Sequence, residues 1–267
     1  MLSQKISNRK SVRAGITGVV AATVAGLALV ALPGQASAAA DGGVQPPGPT
    51  TTAANYVAYL DGRALAGDAE AADIATQFKA LSFEDQFRFL TLISDSNTTQ
   101  AYTQAVSELG DEAADLPPTE GSSTKMLGAG HAVETVTETG EAAPLAPQAQ
   151  KNTVMAAAAS YRDMWASYSV YDTVFGIRVT KVTIRTNYQV NGTDTTKVYP
   201  GSASHYNYVP AASFSNTAVS EWISSPPADN AQSETVWTAT WKGGLGSWSA
   251  RERVWGDYRG FVGGYLK

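Results

Sequence analysis

Between residues 70 and 110 the apolar positions recur every three or four residues. In "EAADIATQFKAL", Ile74, Phe78 and Leu81 stand at i, i+4 and i+7, which predicts one face of a helix. In "SFEDQFRFLTLI", Ser82 stands at an N-cap position and Asp85 follows three residues later, as in a capping box. Phe83, Phe87 and Leu90 fall on one face of that helix, and Phe89, Leu92 and Ile93 widen the stripe, so this helix is expected to be central. A third helix runs through "TTQAYTQAVSELG", where Tyr102, Val106 and Leu109 share a face and Gly110 stops it. A weaker fourth covers 55–66. Together they predict a small antiparallel helical bundle over 55–110.

From about residue 156 the period drops to two. In "FGIRVTKVTIRTNYQVNG", Ile177 and Val179 are in one phase, and Val182, Ile184, Tyr188 and Val190 are in the other. The slip near Thr180-Lys181 predicts a β-bulge. Asn191-Gly192 predicts a two-residue hairpin turn that pairs Tyr188 with Thr195 and Ile184 with Tyr199, with Pro200-Gly201 ending the return strand. "SYRDMWASYSVYDTVFG" reads as an earlier strand. "GGLG" turns a second hairpin that sets Trp241 opposite Trp248, Ala239 opposite Ala250, and Trp237 opposite Glu252. Trp237, Trp241 and Trp248 then share a core face. The opposite face carries Arg251, Arg253 and Trp255, with Tyr258 and Arg259 just beyond. "GSASHYNYVPAASFSN" and "EWISSPPADNAQ" read as loops. Six or seven short strands over 156–267 predict an antiparallel sandwich or open barrel, so the fold class is α+β in two parts.

Charge divides the chain in the same place. Residues 39–150 hold sixteen acidic and four basic residues; residues 151–267 hold eight acidic and eleven basic. All six tryptophans and nine of the twelve tyrosines lie in the second part. Residues 111–155, acidic and Pro-containing, read as a linker in which His131 is simply solvated. At the start, Lys5, Arg9, Lys10 and Arg13 precede an apolar run and Ala36-Ser37-Ala38, which predicts a secretory signal peptide over 1–38. A Pro/Gly/Thr-rich leader over 39–54 follows. Secretion, with no stable membrane insertion once the signal is removed, is the expected localisation. No cysteine is present, so neither disulfides nor thiolate chemistry can operate.

The strand run "FGIRVTKVTIRTNYQVNG" and the hairpin "GGLGSWSARERVW", behind a secretory signal, resemble a broad set of secreted β-rich proteins of actinomycetes. The resemblance implies secretion and a β fold, and it assigns no activity.

Chemistry is sparse. There is no G-x-S-x-G elbow beside His205, no H-E-x-x-H, no calcium loop and no phosphate-binding fingerprint, so no catalytic residue, metal or cofactor is assigned. A surplus of three positive charges over 151–267 is too small for a nucleic-acid footprint. Arg251, Arg253, Trp255 and Tyr258 are the candidate ligand surface, because Arg and Trp stack on sugars and Arg forks onto anions. The expected function is a secreted, non-catalytic protein whose β domain binds a surface ligand such as an extracellular polysaccharide or another cell-surface component. Two alternatives stand beside it. One is a latent effector, such as an antibacterial toxin, with 39–150 as an acidic pro-region. The other is a glycan-active hydrolase using Glu221 or Glu252, with Asp172 and Asp257 as further carboxylates.

Overall fold

The structure, a computed structural model, describes residues 51–112, 121–128, 130–142, 161–210, 212–241 and 247–267. The expected signal peptide and most of the leader lie outside the described residues, as do the stretch 143–160 and the "GGLG" turn. Four helices come first: α1 (Ala53–Leu65), α2 (Ala69–Ala80), α3 (Phe83–Ser94) and α4 (Ser96–Glu112). Ten strands follow: β1 (Gly121–Gly128), β2 (His131–Glu141), β3 (Tyr161–Val174), β4 (Ile177–Asn191), β5 (Asp194–Asn207), β6 (Ala212–Asn216), β7 (Ser220–Ile223), β8 (Ala231–Trp241), β9 (Ser247–Asp257) and β10 (Gly260–Leu266). The fold is α+β in two parts. No helix among the described residues is long and apolar enough to cross a membrane.

The helices begin where polar caps satisfy free N–H groups. Thr52 accepts from Asn55 N, Asp68 from Ala71 N, and Ser82 from Asp85 N at 3.1 Å. The Ser82 hydroxyl also donates to the Asp85 carboxylate at 2.9 Å. Ser82→Ala should therefore cost about 1 kcal/mol and lower Tm by about 2–4 °C, while Ser82→Thr stays close to the parent. Thermal unfolding followed by circular dichroism checks this, and an unchanged alanine variant would remove the cap from the account.

The face of α3 differs from expectation. Phe89, Leu90 and Ile93 are buried, whereas Phe83 and Phe87 are 86% and 68% exposed. The stripe was wide enough to offer two faces. Tyr56 and Phe78 close on Phe89, with ring centroids 5.7 and 5.1 Å away, and that contact selects the one that turns inward.

The first sheet is a simple antiparallel meander, β1-β2-β3-β4-β5. It corrects the linker reading of 111–155. β2 pairs with β3 over eleven positions, from His131↔Val174 to Glu141↔Met164, and Val133 is fully buried. The alternation in "HAVETVTETG" is real, but its acidic flanks dilute it. His131 is buried as well, not solvated, and its Nε2 lies 2.7 Å from Asp172 Oδ1.

The expected bulge in β4 is present: Asp172 pairs with Thr180 and Thr173 with Arg178, leaving Val179 as the extra residue. The β4–β5 turn is Gly192-Thr193, flanked by the pair Asn191↔Asp194, one residue later than expected. Two further irregularities then set Tyr188 opposite Val198 and Ile184 opposite Ala203. Nor does β5 stop at Pro200-Gly201: it continues to Asn207, so part of the expected loop is strand. Pro200 fits because its position falls at a register slip.

The second sheet runs β10-β9-β8-β6, with β7 also on β8. β6 and β7 behave as two halves of one interrupted strand, one pairing with Trp237–Trp241 and the other with Ala231–Glu234. The β8–β9 register is shifted by two residues from expectation: Ala239 faces Trp248, Trp237 faces Ala250, and Thr235 faces Glu252. An even shift keeps every side chain on its expected face. Trp237 is fully buried, Trp248 packs on the main core, and Trp241 packs on the helical cluster.

The two sheets face each other across Tyr168, Val182, Ile184, Tyr188, Trp237 and Val254. Tyr188 ties them together at one end, donating to Asp257 O (2.9 Å) and Gly260 O (3.2 Å). The helical part is not an independent bundle. Residues of α1–α3 share one apolar cluster with Val174, Ile177, Val179, Tyr208 and Val209, and α4 inserts Tyr102, Val106 and Leu109 into the cluster between the sheets.

Candidate functional site

Strand alternation builds the outward face of the second sheet in rows. One row reads Trp222 on β7, Gln232 on β8, Trp255 on β9 and Gly263 on β10. The next reads Ser220, Glu234, Arg253 and Tyr265. Beyond these, Arg251 stands opposite Val236.

The first row is organised by a missing side chain. The β9–β10 register slips between Phe261 and Gly263, which brings Gly263 opposite Trp255. A Cβ at Gly263 would come within 2.3 Å of Trp255 Cζ2, so the indole lies directly over the glycine backbone. Tyr265 stands at its side, with ring centroids 6.0 Å apart and planes at 65°. Trp255 is thus a floor and Tyr265 a wall.

The second row is organised by charge. Glu234 accepts two hydrogen bonds from Arg253, one of them from Nε at 2.7 Å, and lies 3.4 Å from Arg251. The Arg253 guanidinium carbon sits 5.0 Å from the Trp222 ring and 5.5 Å from the Tyr265 ring. It is therefore a spacer between two aromatic rings, held in place by two charge-assisted hydrogen bonds to a single Glu234 oxygen, Oε2. Arg251 is the more exposed of the two arginines, at 55% against 28% for the side chain.

Of the four candidate residues, the structure brings Arg251, Arg253 and Trp255 onto one surface. Tyr258 is not part of it. It sits in the two-residue β9–β10 turn, 36% exposed, with the Arg259 guanidinium 5.4 Å from its ring centroid. Trp222 and Tyr265 were missed. Trp222 lies on β7, which only the sheet order brings to β8 and so to this face; Tyr265 lies on β10, joined to β9 by the tight turn at Tyr258-Arg259, a hairpin not expected from the sequence.

The other chemical candidates are each occupied structurally. Asp257 is bound by Arg259, through Nη2 at 2.6 Å and backbone N at 2.8 Å. Asp172 receives His131. Glu221 accepts from Gly201 N at 2.8 Å. Glu252 has no exposed surface; Trp237 Nε1 donates to its Oε2 at 2.6 Å, and Oε1 has no hydrogen-bond partner among the described residues. Burial holds its carboxyl well above the usual carboxylate range, outweighing the Trp237 hydrogen bond and the Lys181 charge. Glu221 sits on the short strand at the sheet's rim and Glu252 inside the core two strands away, so they do not form the flanking pair that glycoside hydrolysis requires. His205 packs against Phe214 and Trp237, with ring centroids 6.0 and 5.5 Å apart. Among the described residues, no group of three or more acidic or histidine side chains could hold a metal ion.

No protein-family model, curated protein or solved structure matches the chain.

Proposed function

We propose that this is a secreted, non-catalytic binding protein and that the outward face of the second sheet takes an extracellular polysaccharide. One observation carries the reading: Trp222 and Tyr265 flank Arg253, and Trp255 meets Tyr265, on a single half-buried sheet face. Aromatic rings kept partly in solvent, braced by an arginine that Glu234 holds in place, offer apolar faces to the C–H face of a sugar ring. Secretion rests on the basic start, apolar run and Ala36-Ser37-Ala38 of the sequence.

The latent-effector alternative draws less support. Residues 39–150 contain two strands of the first sheet and the helix that fills the space beside the second. The hydrolase alternative draws no support from its two named carboxylates, since Glu252 is fully buried on β9 and Glu221 stands two strands away on β7.

Retention of the protein on immobilised polysaccharides, by affinity electrophoresis across a broad panel, is the direct test. Trp255→Ala combined with Tyr265→Ala should abolish retention and leave the far-ultraviolet spectrum unchanged. A doubly substituted protein that is folded and still retained would place binding elsewhere.

A further inference from the structure

We infer, resting on that reading, that the ligand is a single uncharged polysaccharide chain, that it crosses the strands over Trp222, Gln232 and Trp255, and that Gly263 is a positioning residue for the site.

The direction follows from the row. Trp222 and Trp255 lie on either side of Gln232, two strand widths or about 9.5 Å apart. Between the two indoles, the Gln232 amide has no hydrogen-bond partner among the described residues, and neither indole N–H has one. A primary amide both donates and accepts, as a sugar hydroxyl does. Two apolar platforms with a neutral donor–acceptor between them fit a chain of hydroxylated rings lying along the row.

Neutrality follows from the first row, in which Trp222, Gln232, Trp255 and Gly263 carry no charge. The charges stand in the second row, where Glu234 meets both Arg253 and Arg251 and Lys267 Nζ lies 4.7 Å from the Tyr265 ring centroid, leaving a net positive balance. An anionic ligand would be drawn to that second row. An uncharged chain follows the platforms and the amide of the first.

The single-chain geometry follows from the 65° angle between Trp255 and Tyr265. A floor meeting a wall grips one ring edge, whereas a flat crystalline surface needs coplanar rings. Gly263 makes the floor, because any Cβ there lifts the indole.

The test is calorimetric titration of the full chain, at low and high salt, against soluble neutral polymers (a β-glucan, a galactomannan and an arabinoxylan) and against polygalacturonate. A crystalline cellulose suspension is the third arm. The expected result is binding to a neutral soluble polymer with salt-independent affinity, weakened roughly tenfold by Trp222→Ala and by Gln232→Ala. Gly263→Ala should weaken it comparably through Trp255. Trp222→Ala alters a half-buried side chain on a four-residue rim strand, so it keeps the test open if Gly263→Ala fails to fold. Binding confined to polygalacturonate and lost at high salt, or confined to the crystalline suspension, would overturn the inference and leave the proposed function standing. Full affinity in both Trp222→Ala and Gln232→Ala would overturn the crossing direction. A folded Gly263→Ala that binds as the parent does would overturn the positioning role. Binding to none of the polymers would overturn the proposed function as well.

Discussion

Replacing Glu252 by glutamine should abolish a fall in stability between pH 5 and pH 8. In the folded protein the Glu252 carboxyl is fully buried, and burial raises its pKa well above the ordinary value. In the unfolded chain it ionises with a pKa of about 4.3. Below that value both states carry the proton and folding is indifferent to pH. Above it the unfolded chain releases a proton that the folded protein keeps, so unfolding becomes more favourable as pH rises. The loss is about 1.4 kcal/mol for each pH unit, and it continues until the folded carboxyl itself ionises. Glutamine has no proton to keep, and its carbonyl can still accept from Trp237 Nε1. Every other titrating group is shared by the two proteins, so the difference between their stability curves isolates this one. Chemical denaturation of both at intervals from pH 5 to pH 8 provides the measurement. Parallel curves would mean that Glu252 is ionised in the folded state.

A chain beginning at Lys151 should fail to fold. Without residues 39–150, β3 loses its partner over eleven paired positions. Val174, Ile177, Val179 and Val209 lose the α1–α3 cover against which they are buried, and the core between the sheets loses Tyr102, Val106, Leu109 and Val133. Burying one large aliphatic side chain contributes roughly 1.5–3 kcal/mol. Uncovering four valine or isoleucine side chains therefore approaches the whole stability of a domain, about 5–15 kcal/mol. The truncated protein should lack near-ultraviolet circular dichroism and a cooperative thermal transition. If instead it unfolds cooperatively, the acidic part is dispensable, and the reading of 39–150 as a removable pro-region moves to first place.

Much of this architecture was legible because it is local. Ile74 and Phe78 recur on one helix face, Ser82 caps, and the alternation in β4 marks both the strand and its bulge, since each depends on residues within a few positions. The sidedness of β8 and β9 was also legible, even with the wrong register, because an even slip preserves faces. What stayed hidden depends on distant partners. Phe83 and Phe87 are apolar and well spaced, yet only the position of Tyr56 and Phe78 decides that Phe89 turns inward. β1 and β2 were obscured because charge and proline around them mimic a linker, and β3, which ties their hairpin into the sheet, pairs with β2 from some thirty residues further along. At the candidate site, Arg251, Arg253 and Trp255 could be read from one strand. Trp222 could not, because only sheet order sets β7 against β8, and Tyr265 was missed because the tight β9–β10 turn carries no Asn-Gly or Gly-Gly pair to mark a hairpin.

The Tyr56 hydroxyl donates to Tyr208 O at 3.2 Å, across 152 residues of sequence, and the Tyr208 hydroxyl reaches back to Asp68 at 2.7 Å across 140. Contacts this far apart in sequence make for slow folding, since the chain entropy of closing so large a loop is lost before the contact can form. A chain emerging from its N-terminus presents α1 and α2 long before β5 exists to receive them. Their turns can form locally and Tyr56, Phe78 and Phe89 can meet among the helices, but Tyr208 is not there to accept from Tyr56 until the chain just past β5 has been made. Synthesis and locking are therefore separated in time, since α1 and α2 are made well before the residues that hold them to the sheet.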